Sequence, residues 1–342
     1  MLGLSQTTVS RALNGYPEVS ESTRARVMRA AEDHHYRPNP RARSLATGRA
    51  MAVGHVLPIS GPSEILNPIF ADFLAGAGAV YTRRGYAVHL SFAEQGREAE
   101  HYRWLTTQRM VDALVLHSPR PQDDRARSLD ELGLVFGVHG LLGGRTEGYN
   151  FVEMDNRQSA ELATEHVVQL GHTRVGFLNG PAGLSFSQLR EAGFLSVMER
   201  HRLVPNRLWM TNDEMTEDYG YRAAKKLLAA DPAPTALLTG AMLVAMGALR
   251  AVLEQGLSVP GDVTIVTHDD VLSYLPNSGE PPLFSATRSP VREAGALLAD
   301  IIIDQVEDRT RPYRGEVLYP EFVPGRSSGP APVAMTSLRM RP

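Results

Sequence analysis

Apolar residues recur along this chain with one period before residue 50 and another after it. The early spacing is helical: Val9, Ala12 and Leu13 fall at i, i+3 and i+4, which leaves Gln6, Thr7, Ser10, Arg11 and Asn14 on the opposite face. Ser5, shortly after Gly3, opens this helix, where its hydroxyl can cap a backbone N–H of the first turn. Asn14-Gly15-Tyr16-Pro17 forms a loop, and Ser20 can cap a second helix over about 21–34. Val27, Ala30 and Ala31 supply the buried stripe of that helix, and Arg24, Arg26 and Arg29 its polar side. Pro38 and Pro40 end it, since proline lacks a donor and disfavours helix before it. From residue 51 onward, short runs rich in Val, Leu and aromatics (52–57, 86–92, 112–118 and 134–138) alternate with amphipathic stretches such as 69–84 and 99–108. The pattern restarts with runs at 174–179, 235–240 and 262–269. Repeated strand–helix alternation predicts parallel sheet with crossover helices, and two such series predict two α/β subdomains.

Charge divides the chain at the same place. The net charge of −3 combines residues 1–50, with eight Arg, no Lys and four acids, and a remainder carrying −7. Phosphates are attracted to the head and repelled by the body, so DNA binding belongs to the head. Gln and Arg on an acid-free exposed helix suit the recognition element of a helix-turn-helix; an ordinary amphipathic helix is the other reading of these residues. At 342 residues the chain is long enough for more than one packed unit, and 43% hydrophobic with 21% charged residues is the composition of a soluble globular protein. No apolar run approaches the ~20 residues that span a membrane, and no secretory leader opens the chain. The absence of cysteine excludes disulfides, thiolate metal sites and cysteine nucleophiles, and fits a cytoplasmic protein.

Motifs for catalysis or nucleotide binding are missing. Gly76-Ala77-Gly78 sits in a helical stretch, where it permits close packing rather than cradling a dinucleotide. The chain has no phosphate-loop Gly-Lys-Ser/Thr and no Gly-x-Ser-x-Gly elbow, and its histidines lack zinc spacing. No cofactor is expected.

Four consecutive blocks, TTVSRALNG, EVSESTRARVMRAA, YRPN and ARSLATGR, resemble the DNA-binding headpiece and hinge of the lactose/galactose repressor family (LacI/GalR), and the resemblance continues more weakly to about Ser327. It implies an N-terminal all-α helix-turn-helix headpiece (1–38), a hinge (39–50) and an α/β core of two parallel-sheet subdomains (51–328), like type I periplasmic binding proteins, followed by a tail (329–342). The first subdomain would comprise about 51–153 and 290–318, the second about 154–285 and 319–328. In the family another helix precedes Gly-Leu-Ser. Here Met1-Leu2 stands where that helix should be ending, so the expectation is either a true start upstream, with Met1 an internal methionine, or a truncated chain; as written, the headpiece lacks its first helix and is expected to be poorly stable alone.

The resemblance implies a transcriptional repressor whose partners are operator DNA, a sugar effector and a second copy of the chain, with no membrane and a place on the nucleoid when bound to DNA. DNA contacts would come from Ser5, Gln6, Thr7, Ser10, Arg11, Asn14, Ser20, Asn39, Arg41 and Leu45. Hinge segments 40–48 of two subunits would enter the minor groove and wedge paired Leu45 side chains into a base step, so Leu45→Ala should abolish specific binding and spare sugar binding. A dimer on a pseudo-palindrome follows from the few contacts one headpiece makes. The tail lacks heptads, so no coiled-coil tetramer is expected.

The effector would sit between the lobes. Arg190, in the first turns of a helix, can fork two hydrogen bonds to sugar hydroxyls; taken alone it also reads as a solvated helix Arg, and the resemblance makes it a ligand contact. Asp269 and Asp270 end a strand, where acids can serve catalysis, metals or hydroxyls; by resemblance Asp269 faces the cleft and Asp270 holds the turn. Asp155 is a helix cap and, by resemblance, a ligand contact, with Asn156 a hydrogen-bonder at the crossover. Asn67, Pro68 and Phe70 match the family, and Phe70 can offer a ring face to the ligand, a core aromatic being the commoner outcome for such a residue. Three departures stand out: Ala241-Met242 replaces an Asn-Asp pair, His139-Gly140 an Asp-Arg pair, and Met215 a stacking aromatic. A more apolar cleft with His139 implies an effector other than lactose or ribose. Segment 268–295 resembles the branch that controls α-glucoside use. A transport-type sugar-binding protein would share the core but have no use for residues 1–50, and a sugar-processing enzyme would need catalytic spacing that is absent.

Overall fold

The computed structural model describes residues 2–13, 16–34, 48–59, 68–94, 96–268, 271–273 and 275–332. In the headpiece, α1 (Gln6–Leu13) begins where Ser5 Oγ accepts the Thr8 N–H at 3.1 Å, and α2 (Glu21–Asp33) where Ser20 Oγ accepts the Thr23 N–H at 3.4 Å. Both caps satisfy donors that the first turn leaves open. Ala12, Val19 and Val27 form a small buried core, backed by Leu2, Leu4, Val9 and Leu13. Two arginines of the polar side of α2 also brace it: Arg24 donates to the Tyr16 carbonyl at 2.9 Å and Arg26 to the Leu2 carbonyl at 3.1 Å.

The first lobe contains β1 (Ala52–Ile59), α3 (Pro68–Arg84), β2 (Ala87–Glu94), α4 (Glu98–Thr107), β3 (Ala113–Leu116), α5 (Asp124–Glu131), β4 (Val135–His139) and β5 (Asn150–Met154). The second contains α6 (Asn156–Gln169), β6 (Val175–Asn179), α7 (Ser185–Arg200), β7 (Met210–Asn212), α8 (Glu217–Leu228), β8 (Ala236–Thr239), α9 (Met242–Glu254) and β9 (Thr264–His268). A hairpin, β10 (Val271–Leu272) and β11 (Leu275–Pro276), follows; β12 (Ser285–Arg288) joins the second sheet and α10 (Val291–Glu307) packs back on the first. The final strands β13 (Gly315–Leu318) and β14 (Glu321–Val323) add one edge to each sheet.

The sheets run β13-β5-β4-β3-β1-β2 and β14-β12-β9-β8-β6-β7, and every neighbouring pair is parallel except β12 with β14. The two expected α/β subdomains are therefore present, and the chain passes between them at Asp155, at Ser289-Pro290 and at Tyr319-Pro320. Strands β3, β6, β8 and β9 are buried along their whole length, which is why β3, β6 and β8 read as mostly apolar runs without alternation: helices cover both faces of a parallel sheet.

Glycine brings the covering helices into backbone contact. A Cβ on Gly76 of α3 would lie 1.9 Å from the Arg292 carbonyl oxygen, and one on Gly295 of α10 would lie 2.0 Å from that of Phe73. Gly78 faces open space, so only the first glycine of the Gly-Ala-Gly run serves packing. Asp112 then fixes where the chain enters the first lobe: its carboxylate accepts the Ala50 and Met51 amides at 2.8 and 2.6 Å. No helix among the described residues is long and apolar enough to cross a membrane.

Candidate functional site

Between the lobes lies a cavity of about 410 Å3, reached by the carboxyl ends of the strands. The first lobe contributes Leu57 and Pro58 from β1, His117 to Pro119 after β3, His139 to Leu141 at the end of β4, and Glu153 from β5. From the second lobe come Asn156, Phe186, Arg190, Glu214 to Glu217 and His268. A volume of this size with apolar walls and a few convergent polar groups is that of a small-molecule site.

Arg190 is buried and held on three sides. Its Nε donates to Asn156 Oδ1 at 2.7 Å, one Nη donates to the Gly240 carbonyl at 2.8 Å, and its guanidinium lies over the Phe186 ring at 4.9 Å. Such clamping is not that of a solvated helix arginine. Asn156 passes the connection to the first lobe, donating to Glu153 Oε1 at 3.0 Å and to the Met154 carbonyl at 2.8 Å. Glu153 is almost fully buried, and that burial pushes its carboxyl up to about 7 against the help of Asn156.

The opposite wall is aromatic. His117 meets Phe70 edge-on at a centroid distance of 5.0 Å, and His139 stacks on Phe73 at 4.2 Å. Behind His117, His55 Nδ1 lies 2.9 Å from His117 Nε2 and His55 Nε2 lies 2.9 Å from the Tyr81 hydroxyl.

Of the effector residues read from sequence, Phe70, His139, Arg190 and Met215 come together on this cavity. Asp155 does not: its carboxylate accepts the Gln158 N–H at 2.9 Å and caps α6, and its neighbours Glu153, Met154 and Asn156 line the cavity instead. Asn67 and Asp269 lie outside the described residues, as do Asn14, Asn39, Arg41 and Leu45 of the DNA-contact set. Ser5, Gln6, Thr7, Ser10, Arg11 and Ser20 are all exposed on the headpiece, with Ser5 and Ser20 also serving as helix caps.

Sequence reasoning missed Glu153, His117, Phe186, His268 and Glu214. Two of these carried a signal: His117 stands next to last in the run 112–118, just past its apolar residues, and Glu153 is a lone acid inside an otherwise uncharged, fully buried strand.

Residues 2–39 match the family described as bacterial regulatory proteins, lacI family, and residues 164–328 match a periplasmic binding protein-like domain. The chain is 37% identical to the HTH-type transcriptional regulator AglR of Rhizobium meliloti (strain 1021), over 97% of this chain and 93% of that protein. Its fold is similar to that of the transcriptional regulator CelR in its cellobiose complex (TM-score 0.73, 27% identity, 95% of this chain and 97% of that one). It also matches the fold of the lac repressor dimer bound to operator and the anti-inducer ONPF (TM-score 0.82, 23% identity, 96% of each chain).

Proposed function

The chain belongs to the LacI family of bacterial regulatory proteins, a DNA-binding transcriptional regulator by that membership, and from this premise we propose that a sugar held between its lobes controls its grip on operator DNA. The observation that carries the reading is Arg190, a buried guanidinium fixed by Asn156 and Gly240 at the cavity wall, where it can donate to paired hydroxyls. Phe70 and Phe186 bring aromatic rings to the cavity lining, a surface of the kind that packs on the apolar face of a pyranose, and the CelR structure contains a disaccharide in the same family. On the resemblance of segment 268–295, the effector class we assign is a glucose disaccharide of the α-linked type, with repression as the output.

The coupling follows from the connections. Because Asp112 ties residues 50 and 51 to the first lobe, a change in lobe orientation moves the point from which the hinge departs. Two copies are required to place two hinges together, and the surface supports a homodimer: Val88, Leu90 and Phe92 alternate along the exposed face of edge strand β2, and Met246, Leu253 and Leu283 are exposed on the second lobe.

A gel shift of the chain on its own promoter, with and without sucrose, maltose, trehalose and cellobiose, tests this reading. Retardation that one sugar relieves is the expected result. Retardation insensitive to all four, with none raising the melting temperature, would remove the sugar from the mechanism.

A further inference from the structure

Three buried side chains form a line that ends in the cavity: Tyr81, His55 and His117. His117 is the member that lines the cavity, and with its Nε2 engaged by His55, Nδ1 is the ring nitrogen left to a ligand. Burial holds His55 down to about 3, with His139 adding to the effect, and burial with His55, His139 and Arg125 holds His117 well below its ordinary value. Both rings are therefore neutral, and each carries one proton.

One proton per ring makes the direction of the line all-or-none. When Tyr81 donates to His55 Nε2, His55 has its proton on Nδ1, donates to His117 Nε2, and leaves the His117 proton on Nδ1. In the opposite direction Tyr81 accepts from His55 and must turn its own O–H elsewhere. Among the described residues that hydroxyl has no second partner, and a buried donor without an acceptor is the costly outcome. Tyr81 thus selects the first direction from deep in the core, although it is not itself among the residues that line the cavity.

We propose that His117 is a fixed hydrogen-bond donor of the effector site, presenting Nδ1–H to an acceptor oxygen of the ligand, and that Tyr81 and His55 are positioning residues that set this tautomer. The proposal rests on the reading of the cavity as a sugar site and specifies one of its contacts: a hydroxyl, ring or glycosidic oxygen belongs against His117, whereas an amine would meet donor with donor.

The test uses the full chain labelled with 15N in its histidine rings, His117 being assigned by the loss of its signals in His117→Phe. The expected spectrum shows His117 protonated at Nδ1 and bare at Nε2 from about pH 8 to about pH 5.5, outside the range where an ordinary histidine stays in one state. Tyr81→Phe removes the selecting donor, so the proton moves to Nε2 or averages between the two nitrogens. Calorimetry with maltose, sucrose, trehalose and cellobiose gives the second readout: the sugar that binds the native chain loses about tenfold in affinity in His117→Phe and several-fold in Tyr81→Phe. A native proton on Nε2 overturns the proposal, as does a folded Tyr81→Phe protein with an unchanged tautomer or a folded His117→Phe protein with unchanged sugar affinity. If the native chain binds none of the four sugars, the sugar reading fails, and the ring spectra still decide the relay.

Discussion

The carboxylate of Asp72, at the start of α3 in the first lobe, accepts both the backbone N–H of Ser273 at 2.9 Å and its hydroxyl, although Ser273 belongs to the hairpin that extends from the second lobe. Arg292 of α10 completes the cluster, donating to Asp72 at 3.0 Å and to the Ser273 hydroxyl at 2.8 Å. The lobes are thus latched beside the cavity by charge-assisted bonds, in addition to the three covalent passages of the chain. Burial opposes ionisation of Asp72, but the Ser273 hydroxyl and amide and the Arg292 guanidinium prevail and hold its carboxyl below the ordinary value.

Breaking this latch has a signed pH consequence. A depressed carboxyl contributes stability that is present above its unfolded value and lost as pH falls through its folded one. Asp72→Asn should lower unfolding stability by about 1–3 kcal/mol near neutral pH and weaken the acid dependence, as measured by urea titration across pH. Equal stability of variant and native protein at neutral pH would show that the latch contributes nothing.

Glu153 has the opposite sign. Its folded value of about 7 lies above the ordinary 4.5, so the folded protein holds a proton that the unfolded chain has released, and stability falls as pH rises between those values. The loss amounts to up to about 3 kcal/mol. Glu153→Gln keeps the bond from Asn156 to a side-chain oxygen and should flatten this slope, leaving the variant more stable than the native chain at about pH 8. Melting temperatures across the range give the answer.

The glycines of α3 supply a paired comparison. Gly76→Ala pushes a methyl into the Arg292 carbonyl and should cost about 2–4 kcal/mol by separating α3 from α10. Gly78→Ala, one turn-fraction away in open space, should instead stabilise by up to about 1 kcal/mol through helix propensity. Denaturant midpoints of the two variants should therefore move in opposite directions.

In the headpiece, Arg11 is exposed on α1 and is not among the residues that line the cavity. Arg11→Ala should reduce operator affinity by about 1–3 kcal/mol, with sugar affinity unchanged in calorimetry. A parallel loss in both would contradict the division of labour between head and core.

Near-neighbour spacing determined much of this protein. Ser5 and Ser20 declared two helix starts, Val9, Ala12 and Leu13 an inward face, the apolar runs two parallel sheets, and the arginines of residues 1–50 a head attractive to phosphate. Each of these depends on residues a few positions apart, or on charge summed over a segment. Arg190 was visible too, but its clamp was not: Asn156 and the Gly240 carbonyl reach it from 34 and 50 residues away. The same holds for the Tyr81–His55–His117 line, assembled over separations of 26 and 62 residues, and for the Asp72–Ser273 latch, which spans 201. Strand order brings such groups side by side, and the balance then decides the charge: hydrogen bonds from Ser273 and Arg292 outweigh burial at Asp72, whereas burial prevails at Glu153 and holds its proton. Periodicity specifies which face of an element turns inward; only the packed sheets and lobes specify what that face meets.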